Sequence, residues 1–121
     1  MKTFKYGNFE IEIDNTDVEF LEKFEAADEY YNKTAQELDT SGTASNMMKQ
    51  ACELFKNTFE MILGEGAYEQ MFEGRRSAEE HIRAYKMFID AVSDYSQTTT
   101  LLSEVTAKNR AQRRAKARSK K

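Results

Sequence analysis

Apolar and polar positions alternate at the start of the chain. Phe4 and Tyr6, then Phe9, Ile11 and Ile13, are separated by Lys and Glu residues, with Gly7-Asn8 between the two runs. Period-two alternation around a two-residue glycine turn predicts a β-hairpin from about Thr3 to Ile13. The turn opposes Tyr6 to Phe9, Phe4 to Ile11 and Lys2 to Ile13, so the large apolar side chains share one face. An isolated hairpin is marginal in water, and this face is expected to pack on helices.

The period then changes. Thr16-Asp17-Val18-Glu19 has the spacing of a capping box, with Thr16 as the cap, and Phe20, Leu21, Phe24, Ala27, Tyr31, Ala35 and Leu38 recur at three and four. A helix is predicted over Asp17 to Leu38. A second follows from Ala44 to Leu63, with Met48, Ala51, Cys52, Phe55, Phe59 and Ile62 on one stripe and Gly64 as a left-handed cap. A short helical piece, Ala67 to Glu73, lies between Gly66 and Gly74. Ser77-Ala78-Glu79-Glu80 opens a last helix carrying Ile82, Tyr85, Phe88, Ile89, Val92, Tyr95, Leu102 and Val105. With no proline in the chain, this helix is expected to run unbroken to Ala107. Its weakest point is Thr98-Thr99-Thr100, where β-branching lowers helix propensity.

These elements add up to a mainly α protein: an N-terminal two-stranded hairpin packed on a bundle of three to four helices. Residues 1–107 form a single domain, and residues 108–121 form a basic C-terminal tail. The length of 121 residues suits one domain, and 40% hydrophobic residues suffice for a core. No apolar run approaches the roughly 20 residues of a membrane helix, and the first residues lack the apolar stretch of a secretory signal. A cytoplasmic location is expected, and the single cysteine, Cys52, fits a reducing compartment as a small buried hydrophobe.

Charge changes this picture more than composition does. The formal net charge is −3, but Lys108 to Lys121 holds eight Lys or Arg and no acid. Removing those eight from the 18 Lys and Arg leaves ten against 21 acids, so residues 1–107 stand at −11. An acidic body with a basic tail suggests either a tail lying on its own body or a tail that recruits an acidic partner. The tail, with Arg110, Arg113, Arg114, Lys116 and Arg118, has no large apolar residue and is expected to fray when free.

The search for catalytic chemistry yields little. His81 is the only histidine; Glu79 and Glu80 adjoin it in sequence but not at the three- or four-residue spacing where helix side chains meet. It is expected to be a solvated or half-buried residue near a helix start. Gly64-Glu65-Gly66 lacks the lysine and hydroxyl of a phosphate loop and follows a helix rather than a strand. A binding protein without metal or cofactor is expected rather than an enzyme. Met47, Met48, Phe55, Phe59, Met71 and Phe72, with Met61 and Met87 nearby, are either plain core or an adaptable apolar face for partner helices. The tail is a solubilising extension, a grip on RNA or DNA phosphates, or a handle for an acidic protein surface.

The order of parts resembles the tail assembly chaperones of long-tailed phages and prophages of Gram-positive bacteria. The resemblance covers nearly the whole length. It rests on the hairpin Phe4-Lys5-Tyr6-Gly7-Asn8-Phe9-Glu10-Ile11, the acidic first helix, Phe59-Glu60-Met61-Ile62-Leu63-Gly64-Glu65-Gly66 followed by Tyr68-Glu69-Gln70-Met71-Phe72, and the ending Asn109-Arg110-Ala111-Gln112-Arg113-Arg114-Ala115. Leu63 departs from the aromatic residue usual before that glycine. The resemblance implies a non-enzymatic protein that binds the tape measure protein, keeps its amphipathic helices soluble and helps bring tail tube subunits to it. Two other readings compete: a small nucleic-acid-binding regulator that uses the arginine-rich tail, and a virion connector, which would require a homo-oligomer. Against the regulator, a body at −11 repels nucleic acid.

Overall fold

The computed structural model describes residues 2–119, with the side chains of 2–108 and 110. Two antiparallel strands, β1 (Lys2–Tyr6) and β2 (Phe9–Ile13), pair in the register that the alternation predicts, Tyr6 with Phe9, Phe4 with Ile11 and Lys2 with Ile13. Gly7 has φ 59° while Asn8 stays at negative φ, the signs of a type II′ turn with glycine first. Glycine is required there for a second reason: a Cβ on Gly7 would collide with the carbonyl oxygen of Met71. The turn is thus pressed onto the helix that contains Met71, and the Asn8 backbone N–H donates to Gln70 O at 3.1 Å.

Five helices follow: α1 (Val18–Gln36), α2 (Ala44–Leu63), α3 (Ala67–Phe72), α4 (Ala78–Ser93) and α5 (Ser96–Ser119). The hairpin packs on them as expected, with Phe4 and Ile13 buried and Tyr6, Phe9 and Ile11 packed against the core. α1 starts one residue later than the capping box suggests. The Thr16 hydroxyl is spent on Asp14 Oδ1 at 2.5 Å, and Asp17 caps the helix by accepting from the Phe20 N–H at 3.0 Å. α2 has the predicted bounds, capped by Thr43. Gly64 ends it at φ 93°, ψ 170°, a glycine position but outside the left-handed helical basin expected for it.

Phe88 on α4 is the hub of the core. Its ring centroid lies 5.2 Å from Phe4, 6.1 Å from Phe24, 6.1 Å from Phe59 and 6.5 Å from Phe20, so one side chain joins the hairpin, α1, α2 and α4. Such edge and tilted contacts suit the ring quadrupole, beyond the area they bury.

The unbroken final helix is corrected. α4 stops at Ser93, and Asp94 is extended at φ −85°, ψ 100°. The cause is tertiary. Asn15, buried between the hairpin and α1, donates its amide to Val92 O at 2.9 Å and Asp94 O at 2.8 Å, taking carbonyls that a continuing helix would pair with its own N–H groups. The Asp94 carboxylate accepts from Ser96 N at 3.1 Å and Ser96 Oγ at 2.8 Å, and pairs with Lys2 Nζ at 2.7 Å. The threonine run lies intact inside α5. The expected domain boundary after Ala107 also falls inside α5, which continues to Ser119.

Candidate functional site

The apolar positions that the sequence left as either plain core or a partner face are divided by the fold. Phe55, Phe59, Met71 and Phe72 are buried in the core, where they satisfy the hairpin, α3 and α4 rather than a partner. Met47 is half-buried, and Met48 is 45% exposed. A stripe this apolar on a helix in the middle of the chain is needed to close the core.

His81 is likewise corrected: it is fully buried. It shares the inner face of α4 with Ala84, Tyr85, Phe88 and Val92, and its ring stacks on Phe72 at 3.9 Å with 5° between planes. Ser77 O, which can only accept, lies 2.6 Å from Nδ1, so Nδ1 carries the proton. Nε2 then accepts from the Tyr68 hydroxyl at 2.8 Å. Burial holds the His81 pKa below 6.5 and pushes that of Tyr68 up to about 12. Cys52, buried as expected, has its Sγ 3.9 Å from Nδ1 and 3.4 Å from Arg76 O. Because Nδ1 is already a donor, it cannot take the thiol proton, and burial raises the Cys52 pKa. The cluster is a braced polar core.

Cys52 and Tyr68 of this cluster also line a cleft of about 350 Å³ between α2, α3 and the turn into α4. Its walls carry Lys49, Lys56, Arg75 and Arg76, with Glu53 and Glu69 among them. Sequence reasoning missed it. The only linear signal is Lys49 and Lys56, seven residues apart on one helix face, with Cys52 between them.

α5 is the other exposed feature. Among its described side chains none is buried, and only Thr98 is partly covered. Leu101, Leu102 and Val105 are 61%, 63% and 55% exposed, although Leu102 and Val105 were expected on a core stripe. They share one side of the helix at spacings of three and four. Lys108 and Arg110 follow them, both exposed; the side chains of Arg113, Arg114, Lys116 and Arg118 lie outside the described residues. Among the described residues no group of three or more His, Cys, Asp or Glu could hold a metal ion, and no helix is long and apolar enough to cross a membrane.

The molecule is a hairpin-led helical domain followed by a C-terminal helix whose described side chains are almost all exposed. The chain belongs to the family described as Family of unknown function (DUF6673), which it matches over residues 7–117, from the hairpin turn into the basic end of α5. No curated protein and no solved structure matches it.

Proposed function

We propose that this protein is a non-enzymatic tail assembly chaperone, acting in the cytoplasm of a bacterial host, that binds the tape measure protein and helps recruit tail tube subunits. The supporting observation is α5: an unpacked helix with Leu101, Leu102 and Val105 exposed and a cationic end. Isolated apolar stripes of this kind mark sites for partner helices, and an exposed helix can share its stripe with a client that would otherwise aggregate. The acidic body keeps the pair in solution. In this reading the client contact lies on α5 rather than on the apolar face of the body.

Co-expression with a tape measure fragment from the same genome tests this. Leu101→Glu/Leu102→Glu/Val105→Glu should abolish co-purification, whereas Arg110→Gln/Arg113→Gln/Arg114→Gln/Arg118→Gln should only weaken it. Tight, sequence-selective RNA or DNA binding that vanishes with the arginines, together with no capture of any tail protein, would replace this reading with that of a nucleic-acid-binding regulator.

A further inference from the structure

Residues 1–107 carry ten cations, and four of them, Lys49, Lys56, Arg75 and Arg76, line the cleft of about 350 Å³ between α2 and α3. Arg75 is engaged, with Glu80 at 3.2 Å and Glu73 at 3.8 Å. Lys49, Lys56 and Arg76 make no ion pair among the described residues, although Glu53 and Glu69 line the same cleft. On a body at −11 this is a local reversal of sign.

The cleft is also held in shape. Tyr68 in the floor is anchored through His81 to the Ser77 carbonyl. The Lys56 ammonium stands 5.9 Å from the centroid of the Tyr68 ring, a cation–π placement that keeps it above the floor. The Cys52 thiol donates to Arg76 O and fixes the backbone from which that guanidinium extends. Cations set in advance around a hollow spare a ligand part of the ordering cost of binding.

The spacing selects the ligand. Lys49 and Lys56 are seven residues apart on α2, about 10 Å along the axis at roughly 1.5 Å per residue, too far for one compact anion to bridge. A row of separate carboxylates fits. A nucleic acid fits less well, because the Tyr68 ring is too well buried to stack a base.

We propose that this cleft is a docking site for an acidic peptide segment of a partner protein, whose carboxylates pair with Lys49, Lys56 and Arg76. The site is separate from α5 and does not rest on the chaperone reading. The test is a titration of the isotope-labelled full chain with a short Glu-Ala repeat peptide at about 0.15 M salt, where screening leaves only close charge pairs. A Gln-Ala repeat peptide serves as the uncharged control.

Shift changes are expected around Lys49 to Lys56 and Gly74 to Arg76. Lys49→Gln/Lys56→Gln/Arg76→Gln should weaken the Glu-Ala peptide about tenfold or more, three exposed pairs together accounting for that factor. Neutralising Arg110, Arg113, Arg114 and Arg118 should weaken it less. Shifts confined to residues 108–121, or equal affinity of the cleft variant and the native protein, would overturn the site. Displacement of the peptide from the cleft by an oligo-dT strand at lower concentration would reassign the site to nucleic acid. The shift map uses the unsubstituted protein, so a misfolded variant cannot decide the outcome.

Discussion

The His81 ring is buried in a stack with Phe72, and burial penalises its charged form. The folded state therefore prefers the neutral ring, and its pKa falls below 6.5. The unfolded chain binds the proton first as pH drops, so stability is complete above about pH 6.5 and declines through the range below it, where carboxylates are still ionised. Urea midpoints at pH 7.5 and 5.5 should differ in the native protein. The difference should disappear in His81→Leu, and its persistence there would refute the assignment. Tyr68→Phe removes only the donor to Nε2 and leaves a buried acceptor unpaired, an expected loss on the order of 1–3 kcal/mol. At the same scale, Phe88→Ala should cost about 3–5 kcal/mol, because four ring neighbours lose their common partner.

Among the elements, the α4–α5 junction is decided by its neighbours. Asn15 holds the carbonyls at the end of α4, and Lys2 and Ser96 hold the Asp94 carboxyl well below the usual carboxylate range, the Lys2 hydrogen bond being the larger cause. Asn15→Ala should destabilise the fold by about 1–3 kcal/mol by leaving two carbonyls unpaired, which denaturant unfolding would read. The hairpin behaves differently. Its register follows from side chains alone, since a one-residue slip would turn Phe4, Ile11 and Ile13 into water. Phe4→Ala should therefore cost more than Phe9→Ala, because Phe4 is buried and Phe9 only half-buried. Equal losses would mean that the hairpin packs evenly rather than at its end nearer the chain terminus.

For the whole molecule, the body and α5 are energetically distinct. A chain ended after Gln97 keeps every buried apolar residue, so its stability should fall by less than about 1 kcal/mol. Amides of residues 99–108 should exchange with solvent far faster than those around Phe88, because little tertiary burial opposes opening of the helix. A large loss of stability on truncation, or slow exchange in α5, would show that α5 is packed in solution and would remove the basis for its role as a partner surface.

The hairpin with its register, α2 to the residue, the short α3 and the start of α4 were legible because each is set by periodicity and by caps within a few residues. The phase of α4 was not. Ile82 was read inward and His81 outward by polarity alone; Ile82 is 57% exposed, whereas His81 is buried. The inward positions Tyr85, Phe88 and Val92 place His81 on their face, but a buried histidine is tolerated only because Ser77 and Tyr68 satisfy both ring nitrogens. Local sequence thus determined which segments are strands and helices and that an acidic body precedes a basic end, since these depend on spacing, propensity and charge count. Tertiary structure alone decided which apolar stripe is core and which is exposed, where the last helix breaks, and that Lys49, Lys56, Arg75 and Arg76 meet around one cleft. Each of those outcomes depends on partners distant in sequence, from Asn15 with Asp94 to Tyr68 with His81, and becomes definite only when the packing brings them within hydrogen-bond reach.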